Sequence, residues 1–74
     1  MNHLKIGQLA QAAGCLPSTI HFYTQAGLIR PSEHTRGGYR LYDPAVLKTI
    51  RRIHDLQEKK RLTIAEIKQK ITNH

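Results

Sequence analysis

The four residues Gly14-Cys15-Leu16-Pro17 constrain the fold of this chain most. Before them, Leu9, Ala10 and Ala13 recur at helical spacing, and Gly7 is a plausible start, so Gln8 to Ala13 reads as a helix of about two turns. Gly14 stops that helix, taking a left-handed conformation at no steric cost. Pro17 suits the first position of a second helix, where its missing N–H is harmless. Leu16 then falls at the N-cap, where it is a poor cap, and Ser18 or Thr19 is expected to satisfy the first free N–H groups instead. Two short helices joined by a glycine-containing turn make a helix-turn-helix.

The second helix, Ser18 to Ala26, is not explained by a core alone. Ile20, Tyr23 and Ala26 recur at inward spacing, which leaves Ser18, His21, Phe22 and Gln25 on the other side. That outward face has hydroxyl, imidazole, amide and aromatic groups and no carboxylate. Such groups suit the major groove of DNA, where they meet base edges and thymine methyls. The plainer reading is a half-buried helix with Phe22 packed under a neighbouring loop.

Gly27 ends this helix, and Leu28 and Ile29 return to the core. Arg30-Pro31 is extended, because the residue before proline is pushed out of helical angles. Gly37-Gly38 is a turn signal within His34–Tyr42, predicting a two-stranded hairpin in which Tyr39 and Leu41 alternate with Arg40 and Tyr42. Leu4-Lys5-Ile6 reads as a small edge strand. Asp43-Pro44 predicts a helix start with Asp43 as N-cap and Pro44 in first position. Its apolar stripe is Val46, Leu47, Ile50, Ile53 and Leu56, running to about Glu58, with Lys48, Arg51 and Arg52 off it. Lys59-Lys60-Arg61 interrupts the pattern. Thr63-Ile64-Ala65-Glu66 is a capping box opening a last helix, with Ile64, Ile67 and Ile71 inward and Lys68 and Lys70 outward. The expected fold is mainly α, a winged helix-turn-helix of about four helices. The hairpin is one wing and the Lys59-Lys60-Arg61 turn a second.

Seventy-four residues make one small domain. Twelve Lys and Arg against five Asp and Glu give a net charge of +7, which implies a polyanionic partner, nucleic acid before an anionic membrane surface. No acidic residue precedes Glu33, and ten of the twelve basic residues lie from Arg36 onward. Phosphate contacts are therefore expected mainly from the second part of the chain and base contacts from the first. One cysteine, Cys15, permits no intramolecular disulfide and suits a reducing cytoplasm. No apolar run approaches the roughly 20 residues of a membrane helix, and Met1-Asn2-His3-Leu4-Lys5 lacks the layout of a signal peptide.

Gly38-Tyr39-Arg40-Leu41-Tyr42 is the sharpest candidate site. Backbone N–H groups, tyrosine hydroxyls and a guanidinium are the groups that grip phosphates. The competing reading is a solvated hairpin whose tyrosines cover the core. Lys59-Lys60-Arg61 is a weaker candidate, since a helix C-terminus favours cations in any case. Cys15, among Ala13 and Leu16, reads as a buried thiol. The histidines show no ligand spacing with Cys15 or a carboxylate, so no metal site is expected. Ser18 and His21 lie three apart on one helix, but nothing supplies an orienting acid or an oxyanion hole, so no catalytic residues are assigned and an enzyme is not expected.

The chain resembles the N-terminal DNA-binding domain of the MerR family of transcription regulators from about Leu4 to Ile71. The resemblance rests on Ile6-Gly7-Gln8-Leu9-Ala10, Thr19-Ile20-His21-Phe22-Tyr23, Ala26-Gly27-Leu28-Ile29, Gly38-Tyr39-Arg40-Leu41-Tyr42 and Leu62-Thr63-Ile64-Ala65-Glu66-Ile67. It implies a winged helix-turn-helix with a second wing between the last two helices, binding promoter DNA as a dimer and distorting it. His21 stands where the family usually has Arg, Thr24 where it has Glu, and Leu16 where it has Ser. The turn at Lys59-Lys60-Arg61 lacks the usual Gly.

The expected organisation is a single domain over residues 1–74, with the helix-turn-helix over about 6–25, wing 1 over about 33–42 and wing 2 over about 59–62. The expected DNA contacts are Ser18, Thr19, His21, Phe22 and Tyr23 on the helix. Arg36, Gly38, Tyr39, Arg40 and Tyr42 follow on the first wing, and Lys59, Lys60 and Arg61 on the second. The partner is double-stranded DNA, with no cofactor and no membrane. A homodimer is expected only with a C-terminal dimerisation helix absent from this chain. Two other functions fit the residues: a small architectural protein that bends DNA, such as a recombination directionality factor, and a protein-interaction module docking through Phe22 and the wing.

Overall fold

Two left-handed glycines shape the N-terminal half. In the computed structural model, which describes residues 3–72, Gly14 has φ 71° and Gly27 has φ 80°. Each follows a short helix, α1 (Ile6–Ala13) and α2 (Pro17–Gln25). The turns close alike: Cys15 N–H donates to the Ala10 carbonyl at 3.0 Å, and Leu28 N–H to the Tyr23 carbonyl at 2.9 Å. These bonds satisfy carbonyls that the helix ends leave free, with Leu28 buried just beyond. The helices start differently from one another. At α1, Lys5 is the N-cap and its N–H donates to Gln8 Oε1 at 3.0 Å. At α2, Leu16 is the N-cap and Pro17 follows it, but the Ser18 and Thr19 hydroxyls make no capping bond among the described residues. The start of α2 rests on proline geometry and on the Leu16 carbonyl, which accepts from Thr19 N–H at 3.0 Å.

The sheet joins the expected hairpin to the expected edge strand, which stops at Lys5 because Ile6 begins α1. It has three antiparallel strands, β1 (Leu4–Lys5), β2 (Glu33–His34) and β3 (Arg40–Tyr42), with β3 in the middle. Leu4 pairs with Tyr42 and Lys5 with Leu41 on one side, and Glu33 with Leu41 and His34 with Arg40 on the other. β1 supplies the third strand that so small a hairpin needs.

The third helix, α3 (Val46–Glu58), also begins later than the sequence suggests. Asp43 accepts from Ala45 N–H at 2.8 Å through its side chain, but the first turn closes by i→i+3 bonds from Val46, Leu47 and Lys48. Asp43-Pro44 therefore opens a 3₁₀-like turn that leads into the α-helix. The fourth helix, α4 (Ile64–Thr72), has both halves of the expected capping box. Thr63 N–H donates to Glu66 Oε1 at 2.9 Å, and Glu66 N–H to Thr63 Oγ1 at 3.2 Å.

The core lies where α1 meets α2, α3 and β3, with α4 packed on α3. Leu9, Ile20, Tyr42, Ile50, Ile53 and Ile67 are fully buried in it. Each such side chain contributes roughly 1.5–3 kcal/mol of transfer free energy. Among the described residues no helix is long and apolar enough to cross a membrane. Met1, Asn2 and His74, which figure in the sequence reading, lie outside the described residues.

Candidate nucleic-acid interface

One face of α2 is closed and the other open. Ile20 and Tyr23 are buried, while Ser18, His21, Phe22 and Gln25 are exposed and Thr19 is half-buried. Phe22 is 50% exposed, far more than a core aromatic. Its ring tilts against that of Tyr23 with 6.0 Å between centroids. An exposed aromatic between hydroxyl, imidazole and amide groups is a surface that can meet base edges.

The first wing is a tight loop. Gly38 N–H donates to the Thr35 carbonyl at 2.9 Å, and Tyr39 N–H to Thr35 Oγ1 at 3.1 Å. Gly38 has φ 83°, so the turn needs glycine there. This geometry puts Arg36 at the exposed tip and leaves Tyr39 68% exposed. Arg40 is half-buried and reaches back to the helix, where its Nη1 donates to His21 Nδ1 at 3.2 Å. A cleft lined by Lys5, Ile6, His21, Gly38, Tyr39 and Arg40 joins the two elements. It holds the side chains of Lys5 and Arg40 and no acidic one.

Two expected contact residues lie in the core instead. Tyr42 is fully buried, and its hydroxyl meets Thr24 Oγ1 at 2.8 Å. Tyr23 is buried, its hydroxyl donates to Gln57 Oε1 at 3.1 Å, and its ring lies 5.9 Å from His54. Burial pushes the Tyr23 phenol above its ordinary range. Both rings hold other elements in place and do not face outward. On the strand, Arg40 and Tyr42 share one side by the two-residue alternation, and both turn toward α2.

Lys59, Lys60 and Arg61 are all exposed. Lys59 Nζ lies 3.9 Å from Asp55 Oδ1 in an exposed pair, which is worth little in water. Arg61 has φ 51°, an unusual angle for a side-chain-bearing residue. Among the described residues no hydrogen bond or ion pair joins this turn to α2 or to the first wing. The structure thus assembles α2 and wing 1 into one surface and leaves the basic turn separate. Cys15 is half-buried, and burial raises its thiol, which keeps it protonated at neutral pH.

Two contributors were not among the expected site residues. Lys5 borders the cleft because β1 lies alongside β3. Thr24 ties the helix to the strand. Its signal in the sequence is the three-residue spacing from His21, which sets both on one side of α2.

The model of the MerR HTH family of regulatory proteins matches residues 4–73. Among curated proteins, the nodulation protein NolA of Bradyrhizobium elkanii is 41% identical over 54 residues, covering 73% of this chain and 25% of that protein. Among solved structures, the transcription regulator PbrR691 from Ralstonia metallidurans CH34, in complex with lead(II), superposes with a TM-score of 0.80. It is 34% identical, over 92% of this chain and 52% of that one. HiNmlR, a MerR family regulator lacking the sensor domain and bound to promoter DNA, also has a TM-score of 0.80 over 95% of this chain and 55% of that one; at 18% identity the likeness is one of fold. The chain thus spans about a quarter of the curated relative and about half of these regulators.

Proposed function

The chain belongs to the MerR HTH family of regulatory proteins, and on that premise we propose that it is the sequence-specific, double-stranded-DNA-binding part of a cytoplasmic transcription regulator, with no catalytic role. The observation that carries this reading is the single surface made by the open face of α2 and the first wing. Helix α2 enters the major groove with Ser18, His21 and Phe22 nearest the bases. Arg36, the Gly38 backbone, Tyr39 and Arg40 hold the flanking phosphates, and Lys59, Lys60 and Arg61 grip the backbone farther out. Thr19, Tyr23 and Tyr42 act from behind this surface by holding its elements. The helix-turn-helix occupies about residues 6–25, the first wing about 33–42 and the second about 59–62. A net charge of +7 supports a polyanionic partner. HiNmlR, of the same fold, is described bound to promoter DNA. Dimeric binding would need a dimerising helix beyond these elements.

The test is fluorescence anisotropy with short labelled duplexes over a range of salt. The logarithm of affinity should fall linearly with the logarithm of salt concentration. Arg40→Ala should weaken binding to every duplex and reduce the salt slope by about one. No duplex binding at low salt, with salt-independent capture of a protein partner, would replace this reading with a protein-interaction module.

A further inference from the structure

The contact between Arg40 and His21 fixes more than position. A guanidinium only donates hydrogen bonds. With Arg40 Nη1 3.2 Å from His21 Nδ1, Nδ1 must therefore be the acceptor. A neutral imidazole that accepts at Nδ1 carries its proton on Nε2. A proton on Nδ1 would leave Arg40 Nη1 without its acceptor. The contact with the wing thus holds the ring as a neutral Nε2–H donor.

His21 is exposed, and among the described residues no protein atom takes its Nε2. We infer that Arg40 of the wing acts as a positioning residue that holds His21 as an outward Nε2–H donor, and that this donor reads a guanine in the major groove. The inference rests on the DNA-binding reading above. Guanine presents two acceptors, N7 and O6, and no donor in that groove. Cytosine presents only an amino donor, which meets Nε2–H unfavourably, adenine sets its amino donor beside its one acceptor, and thymine offers the single acceptor O4 crowded by its methyl group against the two of guanine. Lysine or arginine at position 21 would also seek guanine, but as a cation equally drawn to phosphate. A neutral donor is drawn to phosphate less strongly than a cation is, so the base edge competes for it better. Two features of the fold make the pinning possible. His21 and Thr24 are three residues apart on α2, and Arg40 and Tyr42 two apart on β3, so the Thr24–Tyr42 bond at 2.8 Å sets the register that brings Arg40 onto His21.

The experiment is a selection from a randomised duplex library with wild type, His21→Ala and Arg40→Met, followed by affinity measurements on the enriched duplex. Wild type should enrich guanine at one position, and exchanging that G·C pair for C·G should cost it about tenfold, within the usual effect of one wrong base pair. His21→Ala should lose the preference at that position and at no other. Arg40→Met should lose it at the same position, while also binding all duplexes more weakly. Long-range ¹⁵N–¹H spectra of the free protein at neutral pH should show His21 protonated on Nε2 alone in wild type and a changed tautomer balance in Arg40→Met. That signature would not move if Arg40 served the fold alone, and matching thermal melts would show that both variants are folded. An Arg40→Met profile that keeps guanine where His21→Ala loses it overturns the inference and leaves DNA binding standing. A His21→Ala profile identical to wild type does the same. If wild type enriches no duplex, the inference falls together with the function it rests on.

Discussion

The Thr24–Tyr42 pair offers a sharp energetic test. Thr24 Oγ1 lies 2.8 Å from the Ile20 carbonyl and 2.8 Å from the Tyr42 hydroxyl. The threonine has one hydroxyl hydrogen, and a carbonyl can only accept, so that hydrogen goes to Ile20. Tyr42 must then donate to Thr24. Tyr42→Phe keeps the buried ring, leaves Thr24 bonded to Ile20, and removes one net hydrogen bond, at a cost of about 1 kcal/mol. Thr24→Val is nearly isosteric but strips the phenol of its partner. Leaving such a group unsatisfied costs about 1–3 kcal/mol, and the phenol orphaned here belongs to a fully buried side chain. With Tyr42→Phe already in place, Thr24→Val should cost much less, because no phenol remains to be orphaned. The cycle should show a coupling on the order of 1 kcal/mol. Urea denaturation followed by far-ultraviolet circular dichroism measures it. At a slope of about 1 kcal/mol/M, each 1 kcal/mol moves the midpoint by about 1 M. Costs that simply add would refute the donor assignment and the tie between helix and wing.

Three further outcomes follow from backbone and cap geometry. Arg61→Gly should raise stability by about 1 kcal/mol, seen as a melting point higher by roughly 4–8 °C, because Arg61 is held at φ 51°. Gly27→Ala should act in the opposite sense by about 1 kcal/mol in the same melt, since φ is 80° there and the new Cβ would come within 2.9 Å of Lys68 Nζ. The third concerns acid. The Thr63 N–H, then the Thr63 hydroxyl, holds the Glu66 carboxyl below its ordinary range, so its contribution is present above the unfolded value of about 4.3 and lost as pH falls through the lowered folded value. The stability gap between wild type and Glu66→Gln, measured by urea titration at several pH values, should therefore close only on the acid side of that range.

What could be read in the sequence was local. Gly14 and Gly27 end helices, Pro17 starts one, and Thr63 with Glu66 caps another, because each effect acts within a few residues along the chain. The open face of α2 was legible for the same reason: helical spacing sorts Ile20 and Tyr23 from Ser18, His21, Phe22 and Gln25. The tyrosines of the wing were not. Alternation says that Arg40 and Tyr42 share a side of β3, but not which side meets the core. That is decided by packing against α2, whose Thr24 meets the Tyr42 hydroxyl from eighteen positions away. Asp43-Pro44 misled about the start of α3 because the same two residues suit a tight turn and a helix N-terminus. Arg61 takes the left-handed angle that glycine would mark, so its conformation has no signature in the residue itself.

The two contacts between α2 and β3 also bear on how the surface works. A sheet whose strands are two or three residues long has little stability of its own. Anchored only by its turn, the wing would fluctuate against the helix, and its phosphate contacts would carry no information about where the bases lie. Thr24–Tyr42 fixes the strand at a part-buried point. Arg40–His21 fixes it again at the exposed edge. Two attachment points on one helix face restrain both sliding and rotation, so helix and wing meet a duplex as one body. A phosphate gripped by the wing then sets the height of His21 over the base edges. The departures at His21 and Thr24 fall at these two points, where a change of side chain alters both the base contact and the element that positions it.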